Sequence, residues 1–171
     1  MQNKTSLVTG GAGFIGSHMV DLLVKKNHKV IVIDNLVKGK ISNLKNHLKK
    51  IKFIKKDICL LKFKDLKTSK LDYIFHFAGE GSVVPSITNP KKYIKSNFHG
   101  TINVLEETKN FNYKKFVYAA SSSCYGKASV PTRENNIIEN LHPYAFSKYL
   151  GEEACMSWQK IYKKPINSIR I

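Results

Sequence analysis

Arginine is almost absent from this strongly basic sequence. Only Arg133 and Arg170 are arginines, although the chain holds 29 basic residues against 12 acidic ones and has a formal net charge of +17. Arginine is the residue best suited to reading base edges, so its scarcity disfavours a sequence-specific nucleic-acid-binding protein. The lysines are spread along the chain, most densely over 38–70. We interpret them as a solvated basic face, with attraction of phosphorylated substrates as the alternative.

Long apolar runs and paired cysteines are also lacking. No run approaches the roughly 20 residues of a membrane-spanning helix, and Met1–Lys4 leads directly into a predicted strand, which leaves no room for a signal peptide. We therefore expect a cytoplasmic protein with no membrane partner. Cys59, Cys124 and Cys155 are odd in number and far apart, which indicates free thiols rather than a disulfide framework or a metal site.

The predicted elements alternate along the 171 residues, a length typical of one domain. Strands are predicted near 4–9, 29–34, 51–56, 72–78, 114–120 and 166–171. Helices are predicted near 14–27, 90–110 and 143–163, with a short helical turn near 42–48. Such alternation predicts an α/β fold, a doubly wound parallel sheet covered by helices on both faces.

A glycine-rich segment near the N-terminus predicts a nucleotide site. The apolar run Leu7–Thr9 leads into Gly11-x-Gly13-x-x-Gly16, which is also readable as Gly10-x-x-Gly13-x-x-Gly16. Apolar residues then recur at helical spacing, so the pattern is strand, tight turn, helix. Small residues let the backbone approach a pyrophosphate, and the helix N-terminus supplies free N–H groups and partial positive charge.

An acidic residue stands where such a site needs one. Asp34 ends the second predicted strand, eighteen residues after Gly16. There a carboxylate accepts hydrogen bonds from an adenosine ribose and repels a 2′-phosphate, which favours NAD over NADP. Lys38 and Lys40 follow closely and would soften that repulsion.

A second acid has two interpretations. Asp57 and Ile58 follow the strand-like segment 51–56. The carboxylate would lie beside the adenine amino group in one interpretation and simply end a strand in the other. Spacing alone does not separate them.

The segment Pro143–Lys148 carries the strongest catalytic signal. Three residues separate Tyr144 from Lys148, so on a helix the two side chains lie one turn apart on the same face. A lysine held there stabilises a phenolate and lowers the pKa of a tyrosine from its usual ~10, which makes the phenol a usable base. The pair alone is a weak signal, but it follows a glycine-rich nucleotide loop.

In these motifs the chain resembles the extended short-chain dehydrogenase/reductase family, in particular its NAD-dependent nucleotide-sugar epimerases and dehydratases. The UDP-glucose 4-epimerase type is the most similar. The resemblance covers nearly the whole chain and rests on segments Gly10–Gly16, Asp34–Leu36, Phe75–Gly79, Ser121–Gly126 and Pro143–Lys148.

The resemblance implies a site for NAD and a catalytic triad. The cofactor-binding residues that it implies are Gly10, Gly13, Phe14, Ile15, Gly16, Asp34, Asn35, Asp57, Ile58, Ala78, Gly79, Asn97, Tyr144 and Lys148. Ser121 would hydrogen-bond the sugar oxygen while Tyr144 removes its proton, and Lys148 would also reach the nicotinamide ribose. The implied chemistry is transient oxidation to a 4-keto sugar, with hydride transfer to NAD and back. His76 lies in an apolar strand and is expected to be a core residue.

The residues after Ser121 distinguish between reactions of the family. The dehydratase branch typically has an Asp-Glu pair there, and the decarboxylase branch keeps an acid, whereas this chain has Ser122 and Ser123. The resemblance therefore favours an epimerase acting on a nucleotide sugar, most readily a UDP-sugar. A 4,6-dehydratase or a decarboxylase is the alternative.

The resemblance also bears on domain organisation. Members of the family are about twice the length of a typical ~150-residue domain. We therefore expect residues 1–171 to form the NAD-binding domain, truncated before the substrate-binding domain. An NAD-binding module without turnover is then a second alternative. The helices at 90–110 and 143–163 resemble those that pair in dimers of the family, which predicts a homodimer.

Overall fold

The computed structural model describes residues 4–171, so Met1–Asn3, on which the signal-peptide expectation partly depends, lie outside the described residues. Within the described range one parallel sheet contains six strands, namely β1 (Thr5–Thr9), β2 (Lys29–Asp34), β3 (Ile51–Lys55), β4 (Tyr73–His76), β5 (Lys115–Ala120) and β6 (Ile166–Arg170). Their order is β3-β2-β1-β4-β5-β6. The order reverses at β1, so the carboxyl ends of β1 and β4 border a crevice in which doubly wound sheets bind ligands.

The helices cover both faces of this sheet. They are α1 (Phe14–Lys25), α2 (Phe63–Leu66), α3 (Val84–Thr88), α4 (Pro90–Tyr93), α5 (Gly100–Thr108) and α6 (Pro143–Tyr162). A π-helical segment, Ile94–His99, joins α4 to α5 without a break, and short 3₁₀ turns span Ile41–Leu44, Ile58–Leu60 and Ser122–Tyr125. None of the helices between residues 4 and 171 is long and apolar enough to cross a membrane.

The predicted fold class is confirmed, and each predicted strand agrees with the structure to within two residues at either end. The three long helices are also confirmed. Sequence periodicity did not reveal α2 and α3, because helices of four and five residues are too short to show a repeating apolar pattern. The turn expected at 42–48 begins as a 3₁₀ turn at Ile41.

Side chains of the central strands alternate between two apolar cores. In β1, Leu7 packs into the core that also holds α5 and α6, whereas Val8 packs into the core beneath α1. In β2, Ile31 packs into the first of these cores and Val32 into the second. Both neighbours in each strand are therefore apolar, the pattern of a parallel sheet that is buried on both faces.

His76 belongs to this interior, as the sequence suggested. Its side chain is fully buried at the end of β4, where Nδ1 hydrogen-bonds the Thr9 hydroxyl at 2.5 Å and Nε2 hydrogen-bonds the Thr101 hydroxyl at 2.9 Å. Burial, reinforced by the positive charge of Lys148, lowers the pKa of His76 to about 3. The ring is therefore neutral at physiological pH and acts as a structural bridge between β1, β4 and α5.

The lowered pKa predicts how stability depends on pH. Between the folded pKa of about 3 and the unfolded value near 6.5, the unfolded chain binds a proton that the folded chain does not. The free energy of unfolding should therefore fall as pH drops through this window, by up to ~1.4 kcal/mol per pH unit for this group. The free energy of unfolding is measured by urea denaturation at pH 7 and pH 5. Its dependence on pH should be less steep in His76→Gln than in the wild type, by the equivalent of up to one bound proton. The exposed His99→Gln should keep the wild-type slope, and equal slopes in all three proteins would contradict the prediction.

Candidate active site

The glycine turn between β1 and α1 forms one wall of the site. Gly10 has a φ of +68°, and a Cβ there would lie 2.6 Å from the amide nitrogen of Ala78. A Cβ on Gly16 would overlap the carbonyl oxygen of Gly10. These two positions need glycine so that the turn can pack against β4 and α1 can pack against the turn.

Gly13 is different because its missing side chain leaves room for a ligand. A Cβ there would approach only the carbonyl oxygen of Gly10, at 3.2 Å. Gly13 precedes α1, which has neither a capping side chain nor an acidic residue in its first turn. The partial positive charge of this helix end is therefore available to an anion.

A cleft of about 220 Å³ opens beside this turn, at the carboxyl ends of the central strands. Nine of the residues expected at the cofactor line it, namely Gly10, Gly13, Phe14, Asp34, Asn35, Asp57, Ile58, Ala78 and Gly79. The lining also includes Lys38, which the sequence singled out only as a charge near Asp34. The remaining lining residues, Val37, Gly39, Lys56, Phe77, Glu80 and Ser96, were not singled out. The other expected residues, Ile15, Gly16, Asn97, Ser121, Tyr144 and Lys148, are not part of this lining.

Asp34 connects the glycine turn to the loop after β2. Its buried carboxylate accepts the Ala12 N–H on Oδ2 at 3.0 Å and the Leu36 N–H on Oδ1 at 2.8 Å. Each carboxylate oxygen has two lone pairs, so acceptor positions remain for a ribose hydroxyl. Asp34 is thus both a structural anchor and a candidate ribose ligand.

Asp57 also has two contacts. Its carboxylate accepts the Cys59 N–H at 2.8 Å and so caps the 3₁₀ turn Ile58–Leu60. The same residue lines the cleft together with Ile58. The strand-ending position and the position beside a ligand are therefore compatible in one side chain.

Asn97 positions the cleft wall without lining it. The side chain is buried in the π-helical segment, where Oδ1 accepts the Glu80 N–H at 2.7 Å and Nδ2 donates to the Glu80 carbonyl at 3.0 Å. Nδ2 also donates to Ser147 Oγ at 2.9 Å. These contacts tie the loop after β4 to α6, so Asn97 holds the backbone that lines the cleft.

The two hydroxyls of the expected triad meet. Tyr144 OH donates to Ser121 Oγ at 3.2 Å, and the same oxygen accepts the Ser123 N–H at 3.2 Å. The Tyr144 ring is parallel to His142 at 5.9 Å and edge-on to Tyr93 at 6.3 Å. These aromatic neighbours orient the phenol. The one signal that could have revealed them is the position of His142 before Pro143, where a helix cap is expected.

Lys148 lies one turn further along α6, in a buried position. Its Nζ is 4.4 Å from the centre of the Tyr118 ring, and a Cβ on Gly79 would lie 3.9 Å from it. Burial lowers the pKa of Lys148 to about 8. The ammonium therefore lies behind the Gly79 wall of the cleft and remains mostly charged at neutral pH.

The residues that the structure describes include no candidate metal site. Across residues 4–171, no group of three or more His, Cys, Asp or Glu side chains is arranged to hold a metal ion. Cys59, Cys124 and Cys155 are free thiols, two of them buried.

The sheet order, the glycine turn and the cleft define a Rossmann-type dinucleotide-binding fold. The comparison with protein families then gives a specific assignment. Residues 7–171 match the family described as GDP-mannose 4,6 dehydratase, and the chain belongs to this family. The resemblance to the extended short-chain dehydrogenase/reductases and their epimerases is thereby confirmed.

Epimerases stand among the similar proteins. UDP-glucose 4-epimerase GEPI42 of Cyamopsis tetragonoloba is 36% identical over a 173-residue alignment that covers 92% of this chain and 48% of that protein. The structure of UDP-N-acetylglucosamine 4-epimerase from Methanobrevibacter ruminantium, in complex with UDP-N-acetylmuramic acid, is 34% identical with a TM-score of 0.92 and covers 99% of this chain and 55% of that one. UDP-glucuronic acid 4-epimerase from Bacillus cereus, in complex with UDP-glucuronic acid and NAD, is 30% identical with a TM-score of 0.90, covering 97% and 55%. The chain thus spans about half the length of the relatives it matches.

The buried ammonium predicts a gain in stability when it is removed. At pH 7, Lys148→Met should raise the free energy of unfolding by about 1–3 kcal/mol, because the folded protein no longer buries a charge. The gain should shrink as pH rises from about 8 towards 10.5, where the folded lysine is already neutral. Chemical denaturation at pH 7 and pH 9.5 measures both effects. Lys160→Met, at an exposed position of the same helix, should change stability little, and a less stable Lys148→Met protein would contradict the prediction.

Proposed function

We propose that this chain provides the cofactor-binding and catalytic part of an NAD-dependent nucleotide-sugar epimerase of the UDP-glucose 4-epimerase type. The contact between Tyr144 OH and Ser121 Oγ, one helical turn from the buried Lys148, carries the proposal. The Lys148 ammonium lies next to Gly79, which lines the cleft. This arrangement supports a proton-removing group beside a cofactor site, as transient oxidation of a sugar would require.

The residues of the cleft fit NAD. Gly13 and the uncapped first turn of α1 suit a pyrophosphate, and Asp34 offers acceptors to the adenosine ribose. Asp57 and Ile58 would lie at the adenine, and Lys148 would reach the nicotinamide ribose beyond Gly79. Bound NAD would supply the hydride acceptor for the sugar carbon, a capacity that no side chain has. The similar epimerase from Bacillus cereus was crystallised with NAD, which supports this assignment.

The chain's own residues would transfer the proton to and from the sugar oxygen. Tyr144 accepts it from the sugar hydroxyl, and Ser121 Oγ holds the same sugar oxygen in place by a hydrogen bond. The Lys148 ammonium would supply positive charge one helical turn away. After the keto sugar has rotated in the site to present its other face, the phenol returns the proton to the keto oxygen. The aromatic contacts of Tyr144 with His142 and Tyr93 keep the phenol oriented during both steps.

The choice of epimerisation rests on the residues next to Ser121. Ser122 donates its hydroxyl to the Ile171 carbonyl at 2.9 Å, and Ser123 follows it in a 3₁₀ turn. Neither position offers the carboxylate that elimination of water or decarboxylation needs. The matching family model is named after a dehydratase, so a 4,6-dehydratase is the second candidate.

The organisation of the whole protein is part of the proposal. Residues 1–171 would form the NAD-binding domain, and most contacts with the nucleotide sugar would come from the half of its relatives that this sequence does not match. We also propose a cytoplasmic homodimer in which the run from α4 to α5 pairs with α6. If the sequence functions alone, it would be an NAD-binding module without turnover.

One experiment separates these possibilities. The purified protein is denatured to measure released NAD, and the native protein is incubated with UDP-glucose, UDP-galactose and UDP-N-acetylglucosamine while products are followed by NMR. Interconversion at C4 supports the epimerase, and a 4-keto-6-deoxy product would identify a dehydratase. Bound NAD without turnover, both in this chain and in a chain extended to the length of its relatives, would contradict enzymatic function.

Gly13 should be essential for cofactor binding but not for folding. In Gly13→Val the added side chain fills the space above the first turn of α1, while its closest protein contact is a single carbonyl oxygen. NAD affinity should therefore fall more than tenfold with a melting temperature close to that of the wild type. Calorimetry and thermal denaturation measure the two quantities. His18→Val, at an exposed position of α1, should retain NAD, and unchanged affinity in Gly13→Val would place the pyrophosphate elsewhere.

Tyr144→Phe should separate catalysis from cofactor binding. The substitution removes the hydroxyl that contacts Ser121 and leaves the ring and its aromatic contacts in place. Turnover should fall by roughly 10²–10⁴, the usual contribution of a positioned general base, while NAD affinity barely changes. Steady-state kinetics in the catalytically competent chain measures the loss. Tyr162→Phe at the exposed end of α6 is the matched control, and full turnover in Tyr144→Phe would make the mechanism wrong.

A further inference from the structure

Two lysines line the cleft beside Asp34, yet both are bound by carboxylates. Lys38 Nζ lies 3.1 Å from Glu80 Oε2, and Lys56 Nζ lies 2.5 Å from Asp65 Oδ2. The chain has only 12 acidic residues against 29 basic ones. Two of the few acids therefore pair with the two lysines that line the cleft.

Lys38 is well placed to contact a group on that ribose. The next residue, Gly39, passes so close to Asp34 that a Cβ on Gly39 would lie 2.7 Å from Oδ1. The backbone of Lys38 is thus beside the carboxylate that would face the ribose hydroxyls. Its side chain instead extends to Glu80 and to Ser82 Oγ, 3.3 Å away, in the loop after β4.

Glu80 is itself held in place by other residues. Asn97 fixes both its N–H and its carbonyl, and a second lysine, Lys92, lies 2.8 Å from Oε1. Burial alone would raise the pKa of Glu80, but Lys92 and Lys38 outweigh it and the pKa is lowered. The Glu80 side chain is only 10% exposed, whereas that of Lys38 is 53% exposed.

We propose that Glu80 is a positioning residue for cofactor specificity and that it acts through Lys38. A basic side chain next to the ribose-binding acid is the feature that accommodates the 2′-phosphate of NADP. By holding the Lys38 ammonium at the opposite wall of the cleft, Glu80 leaves Asp34 to repel that phosphate. This inference rests on the proposed cofactor site and adds the residue that makes a strongly basic protein select NAD.

The test compares dissociation constants for NAD and NADP by calorimetry, at one fixed salt concentration. The wild-type protein should prefer NAD. In Glu80→Gln, which keeps the shape of the side chain, the ratio of the NADP to the NAD dissociation constant should fall about tenfold, the effect of one charge-assisted contact. In the double variant Glu80→Gln/Lys38→Met the ratio should return to the wild-type value. Lys38→Met alone should leave the ratio unchanged, because the wild-type lysine does not face the ribose.

Glu106→Gln is the matched control. It makes the same change in net charge and frees Lys109, which lies 2.7 Å from Glu106 on α5 and not in the cleft lining, so the ratio should not change. An unchanged ratio in Glu80→Gln, or a lowered ratio that persists in the double variant, would overturn the inference. If the glutamine variant is unfolded by circular dichroism, Glu80→Ala carries the same expectation.

The two proposals fail differently. Absence of binding of either cofactor by the wild-type protein would overturn the cofactor site and with it the proposed function. Tight NAD binding and epimerisation, combined with a ratio of dissociation constants that does not change in Glu80→Gln, would overturn only the role of Glu80. Equal wild-type affinity for NAD and NADP would likewise contradict this role while leaving the epimerase proposal intact.

Discussion

The site depends on one close approach, that of Gly10 to the backbone of Ala78. A Cβ at Gly10 would lie 2.6 Å from the Ala78 amide, so the turn after β1 and the loop after β4 can meet only because the side chain is absent. From this contact the rest follows geometrically. Ala12, two residues on, donates to Asp34 and fixes the end of β2, while Gly79, one residue beyond Ala78, lies next to Lys148. The cleft is the space left between these pieces.

Helix α6, which carries Tyr144 and Lys148, is placed by buried polar contacts and not by apolar packing alone. Tyr118 OH donates to the Lys148 carbonyl at 3.2 Å, and Asn97 reaches Ser147 from the π-helical segment. A Cβ at Gly151 would overlap the Tyr118 hydroxyl, so α6 must present a glycine there to come this close. Buried hydrogen bonds have strict distances, and they therefore set the position of Tyr144 more narrowly than hydrophobic contacts would.

Local patterns in the sequence predicted the strands, the long helices and the glycine turn, because each is encoded by short-range periodicity or by a residue type with special backbone freedom. The family resemblance, and not spacing, assigned Ser121 and Tyr144 to the same sugar oxygen, but it did not predict the direct contact between their hydroxyls. What remained hidden depends on distant pairs. Lys38 and Glu80 lie 42 residues apart and meet only because β1 and β4 are neighbours in the sheet. Likewise, no periodic pattern shows that the turns around Asn97 are π-helical.

The buried polar groups behind the cleft also decide which base carries the charge. The Thr101 hydroxyl donates to the Asn97 carbonyl at 2.7 Å, so His76 Nε2 must donate to Thr101 and Nδ1 must accept from Thr9. The role of Nδ1 as acceptor follows from the neutral ring that burial and the lowered pKa imply. Protonating His76 would require both nitrogens to donate, and it would add a second charge near Lys148, which already lowers the histidine pKa. Burial and these hydrogen bonds therefore keep His76 neutral, so that Lys148 carries the positive charge in this part of the interior.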